Sequence, residues 1–174
     1  AGMLTISNST LSENGAFQCI FIQCRGEGGG IFNRGTLTIS NSTFSRNSTP
    51  NIGGGILSEG TATFQNSIVA NNSGGNCYGG SSNGYNLSSD NTCNFNGPGD
   101  LNNTGPHLGT LGYYGGPTKT IPLLSGSPAI DAGNPSGCTD GQGHLLKTDQ
   151  RGYPRPNTED TGGCDMGAFE VQSD

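Results

Sequence analysis

One thirteen-residue word constrains this chain more than anything else in it. GMLTISNSTLSEN (Gly2 to Asn14) returns as GTLTISNSTFSRN (Gly35 to Asn47) and again as GTATFQNSIVANN (Gly60 to Asn72), with a further echo opening as GYNL at Gly84. The steps are 33, 25 and 24 residues, and the first is longer by about eight residues that fall around Cys19 and Cys24. A second word, GGGIFN (Gly28 to Asn33), recurs 25 residues later as GGGILS (Gly53 to Ser58). Self-similarity at such a period means units that cannot bury an apolar face alone and do so by stacking on their neighbours.

Within each word the apolar residues alternate with Thr and Ser between Gly and Asn boundaries, which reads as short strands. Leu4 and Ile6, Leu37 and Ile39, then Ala62 and Phe64 would form two inward columns; Leu11, Phe44 and Val69 a third; Ile31 and Ile56 a fourth. About three strands per 25 residues predicts an all-β chain, a right-handed single-stranded parallel β-helix (solenoid) over residues 1–96. Beyond about Gly97 the repeat fades into Gly- and Pro-punctuated text. That text predicts a loop-rich cap over 97–174, packed on the last coil.

This architecture resolves an odd composition. Leu, Ile, Val and Phe supply only 31 of 174 residues, low enough to raise disorder. Disorder of that kind also needs strong self-repulsion, yet charged residues are 11% and the net charge is −6. A core one coil wide needs few large side chains, because backbone ladders supply much of the cohesion. Asn8, Asn41 and Asn66, and likewise Asn14, Asn47 and Asn72, form two polar columns. They read as structural ladders of stacked amides at corners that want left-handed backbone, rather than as a ligand row. Two Lys and five Arg exclude an electrostatic nucleic-acid binder, and no apolar run is long enough to span a membrane.

Six Cys in so core-poor a chain suggest disulfides and an oxidising, extracellular setting. Fifteen connectivities are possible; the spacings suggest the local pairs Cys19–Cys24, Cys77–Cys93 and Cys138–Cys164. Zinc is disfavoured, since His107 and His144 lie far from any Cys pair, and no cofactor or metal site is expected. N-x-S/T sequons at Asn8, Asn41, Asn47, Asn71, Asn86 and Asn102 make glycosylation possible in a chain where such matches also arise by chance.

Candidate chemistry concentrates after Gly97. Asp131, Asp140, Asp149, Asp160, Asp165 and Glu170 could supply paired carboxylates, with Lys119, Lys147, Arg151 and Arg155 as basic partners for a polysaccharide-cleaving site. In TDQRGYPRP, Asp149 and Arg151 share a side if extended. They read either as an acid with an Arg clamp or as an ion-pair bracket, joined by Asp131 or Asp165, that fixes the cap. The bracket is favoured, because Arg's planar fork suits it. His107 and His144 show no positioned partner. Tyr78, Tyr85, Tyr113, Tyr114 and Tyr153 offer a sugar-stacking surface or ordinary loop packing.

Two resemblances follow from these words. GGGIFN with FSRN (Phe44 to Asn47) is similar to the GGA[ILV] and FxxN signatures of polymorphic outer membrane protein repeats, with Gly for Ala, and Val69 with Asn72 replacing the aromatic version in the next coil. The words NCYGG, GYNLSSDNTC, GPHLGTLGYYGGPTKTIPLLSGSPAIDAG, TDQRGYPRP and CDMGAFE, spanning about Asn76 to Glu170, resemble the choice-of-anchor Q module of bacterial secreted proteins. The resemblance implies a secreted or surface-displayed β-helix of a bacterial envelope, usually without assigned catalysis.

The expectation is therefore a non-enzymatic extracellular structural protein that self-associates or adheres, with surface glycans as possible partners. A carbohydrate-binding or polysaccharide-cleaving β-helix is the alternative. The chain starts at Ala1 within a coil, and an uncovered rung there would favour a fragment of a longer protein, or head-to-tail pairing into a filament.

Overall fold

A computed structural model describes residues 2–21, 23–157 and 163–172; Ala1 and the candidate acid Asp160 lie outside the described residues. The described residues contain no α-helix. Their strands run β1 (Met3–Ser7), β2 (Thr10–Ser12), β3 (Gln18–Ile20), β4 (Gln23–Arg25), β5 (Ile31–Asn33), β6 (Thr36–Ser40) and β7 (Thr43–Ser45). They continue as β8 (Ile56–Ser58), β9 (Thr61–Gln65), β10 (Ile68–Ala70), β11 (Cys77–Tyr78), β12 (Ser81–Ser82) and β13 (Leu87–Ser88).

Three parallel sheets, ordered β1-β6-β9-β12, β2-β7-β10-β13 and β5-β8-β11, take one strand each from successive turns of the chain. The register aligns the repeats residue on residue: Leu4 on Leu37 on Ala62, Ile6 on Ile39 on Phe64, Leu11 on Phe44 on Val69, and Ile31 on Ile56. These side chains are the interior, with Leu37, Ile39, Phe44, Ile56, Phe64 and Val69 fully buried. A one-residue slip would turn every one of them outward, which is why the alternation fixes the register. Phe95, tilted against Phe64 at 5.3 Å between ring centres, and the Cys77–Cys93 disulfide lie at the far end of this column.

The two Asn columns do different work. Asn8, Asn41 and Asn66 themselves take φ of 49°, 47° and 52°, the left-handed corner that Asn tolerates better than most residues. At the other corner the residue before each Asn takes it: Glu13, Arg46 and Asn71 have φ near 60°. There Asn14, Asn47 and Asn72 form an axial chain. Each donates its Nδ2 to the Oδ1 of the next, at 2.9 Å and 3.1 Å, and Asn76 continues the chain at 3.0 Å. The same oxygens accept the backbone N–H of the preceding Asn, so a buried amide is satisfied on both sides.

The eight-residue excess is an antiparallel hairpin of β3 and β4, closed by Cys19–Cys24 and projecting from the first turn. The other departure concerns the C-terminal part. The cap is expected on the last coil; the chain does touch that coil, where Leu101 bridges Leu87, but it then runs along the flank of the stack. It covers the outer face of β2-β7-β10-β13, where Leu123, Ala129 and Met166 pack on Ile68, Ala70 and Leu87. The cause lies in β10: Val69 points inward, yet Ile68 and Ala70 on the opposite face are also apolar and fully buried. A strand apolar on both faces needs a layer on each.

Candidate functional site

The flank covering is held by a buried ionic cluster. Asp149 bonds Arg151 through Nε at 2.8 Å and Nη2 at 2.7 Å, and accepts the backbone N–H groups of Arg151, Tyr153 and Glu170. The Arg151 guanidinium lies 3.5 Å from the Phe169 ring centre and 4.5 Å from that of Tyr153. Arg155 pairs with Glu170 at 2.8 Å, both side chains fully buried, and its Nη1 reaches Asn8 of the first turn at 3.0 Å. Asp165 accepts the backbone N–H groups of Asp131 and Val171. Burial pushes the Asp165 carboxyl up to about 6 and the Glu170 carboxyl up to about 7, Arg155 offsetting only part of the cost.

The expected bracket is thus rearranged. Asp149 and Arg151 do pair, and Asp165 is two hydrogen bonds from them through Glu170. Asp131 is exposed and contributes its backbone N–H, not its carboxylate. The deepest ion pair, Arg155–Glu170, was legible in the sequence only as two of many charged residues. The Asn column completes the joint: Asn8 donates to Thr148 O at 2.7 Å, Asn41 to Thr139 O at 2.6 Å, and Asn66 to Asp165 O at 3.0 Å. Those amides therefore serve the flank as much as one another; only Asn66 and Asn41 bond directly, at 2.9 Å.

The other candidates do not converge. Asp140 and His144 form an exposed pair, and backbone and ring N–H groups of His144 hold that carboxyl below its usual range. Lys119 lies over the Tyr113 ring at 5.8 Å, Lys147 is exposed, and the Tyr114 hydroxyl bonds Thr110 O. Among the described residues no three His, Cys, Asp or Glu side chains group as metal ligands. The disulfides join Cys19–Cys24, Cys77–Cys93 and Cys138–Cys164. Of the sequon residues, Asn41, Asn47 and Asn86 are fully buried, while Asn8 and Asn102 spend their amides on internal hydrogen bonds. A sugar has no room at the buried three, which leaves Asn71 as the exposed one.

The hairpin is the second candidate, visible in the sequence only as the excess of the first repeat step. Phe21 at its tip is 99% exposed, and Phe17 and Ile20 are also largely exposed. Phe21 has φ of 56°, a conformation costly for a bulky side chain at a turn that ordinarily selects Asn or Gly. Two hollows of about 470 and 680 Å³ flank the hairpin and share Gln18 and Arg25 as a common wall. The larger is faced by Phe17 and Phe32, with Glu27 and Asn51 on its rim. No helix among the described residues is long and apolar enough to cross a membrane. No family model, curated protein or solved structure matches the chain.

Proposed function

We propose that this is a non-catalytic structural protein of the bacterial cell exterior, a right-handed parallel β-solenoid that adheres through the face carrying the β3–β4 hairpin. The observation that carries the reading is the hairpin itself: a disulfide-closed insert on a rigid stack, showing Phe17, Ile20 and Phe21 to solvent at the cost of a strained tip. Local stability would select against that tip, so a contact is its natural explanation. The structural reading is supported by two buried carboxylates of the flank. Asp149 and Asp165 spend both oxygens on backbone N–H groups and Arg151, and so hold the flank rather than face a substrate. Three disulfides fit an oxidising compartment.

Adhesion of the labelled protein to bacterial cells and isolated envelope tests this. The Phe17→Ser, Ile20→Ser, Phe21→Ser triple variant keeps both cysteines and should lose most of the retained protein. Equal retention of the variant and the parent would remove the adhesive role.

A further inference from the structure

We infer that the hairpin cleft and the adjoining outer face of β5-β8-β11 bind a neutral, extended polysaccharide lying along the stack axis. This rests on the adhesive reading above and names its partner. The register places Phe32 over Leu57 over Tyr78 on that face. Leu57 is buried between its neighbours, whereas Phe32 and Tyr78 stand half exposed. Two strand spacings, about 10 Å, separate their backbone positions, which suits stacking against alternate rings of an extended pyranose chain. Arg34, paired with Glu59 at 2.7 Å on the surface, lies over one face of the Phe32 ring at 4.7 Å from its centre, so a sugar stacks on the other face or displaces it. Phe17 faces the same larger hollow as Phe32, and Phe21 the smaller one beyond the shared wall.

Charge selects the class of partner. The side chains of Gln18, Arg25, Glu27 and Asn51 make no hydrogen bond or ion pair among the described residues, so the hollow offers one cation, one anion and two amides beside aromatic rings. Flat apolar platforms rimmed by balanced hydrogen-bonding groups match a sugar, whose ring has a C–H face and a hydroxyl edge. Glu27 and a chain charge of −6 oppose an anionic polymer or lipid surface.

The test is calorimetric titration of the full chain with cellohexaose, chitohexaose, maltohexaose and a polygalacturonate hexamer, repeated with Phe32→Ala, Tyr78→Ala and Phe17→Ala. All three side chains are exposed, and unchanged melting temperatures establish that the variants fold. The expected result is binding of cellohexaose or chitohexaose over the other two, weakened between about two- and tenfold by each substitution. No binding of either extended neutral hexamer, equal affinity in all three variants, or preference for polygalacturonate would overturn the inference. If the hairpin triple variant loses cell adhesion while neither hexamer binds, the adhesive reading stands and the glycan falls; if adhesion is unchanged, the adhesive reading falls first.

Discussion

The buried carboxylates make an unusual demand: this protein should lose stability as the pH rises from 5 to 8. Glu170 has its carboxyl raised from 4.5 to about 7, and Asp165 from 3.8 to about 6. A raised carboxyl keeps its proton in the folded chain after the unfolded chain has lost it. Its contribution is therefore complete at low pH and disappears as the pH climbs through 6 and 7. One retained proton is worth about 1.4 kcal/mol per pH unit, and with the folded carboxyl half ionised by pH 7 Glu170 alone accounts for about 2 kcal/mol between pH 5 and 7. The sum with Asp165 is smaller than two independent effects, because the two carboxylates repel and share Arg155. For a chain of this size about 2 kcal/mol corresponds to about 4–8 °C in melting temperature. Thermal unfolding followed by circular dichroism across pH 5–8 measures it, and Glu170→Gln should remove much of the slope, leaving the part due to Asp165. Stability that is flat or rises over this window would refute the reasoning. It would mean that the attraction of Arg155 outweighs the cost of taking Glu170 out of water, as a buried pair broken by losing one partner would suggest.

Two further substitutions separate the roles of the stack and its flank. Asn47→Ala strips a fully buried amide from the axial chain and takes away the partner of the Asn14 backbone N–H and Nδ2 and of Leu11 O, so denaturant unfolding should show a loss of about 2–4 kcal/mol, whereas Asn71→Ala, exposed in the next turn, should cost only about 1 kcal/mol, the strain of Ala at a φ of 60°. Ile68→Asp puts a charge under Leu123 and Met166, and should speed hydrogen exchange across residues 120–170 well before it does so in β6 and β9; uniform acceleration in both regions would contradict a separately held flank.

The stack was legible because its signal is local and repeated: a period-2 pattern at a fixed step already says which residue lies over which, and Leu37 over Ala62 follows by counting. The flank was less legible, although Ile68 and Ala70 carried a signal. Apolar residues on both sides of Val69 mark a strand covered twice, a pattern easily read as one more inward column. The Arg155–Glu170 pair could not be read at all. Its members are fifteen residues apart in irregular chain, and only the covered flank brings them together with Asn8, 147 residues away from Arg155. The hairpin falls between these cases. Its length and its two cysteines appear as an excess in the repeat, but the exposure of Phe17, Ile20 and Phe21 does not, since an aromatic residue in a core-poor chain reads as core.

A crystallographic electron-density map tests the central claim most directly. The result expected is Leu4, Leu37 and Ala62 in one line with about 4.8 Å between successive turns, and Met166 seated on Ile68 along the flank. A map in which Leu37 does not lie over Ala62, or in which the outer side of β10 faces solvent, would contradict it.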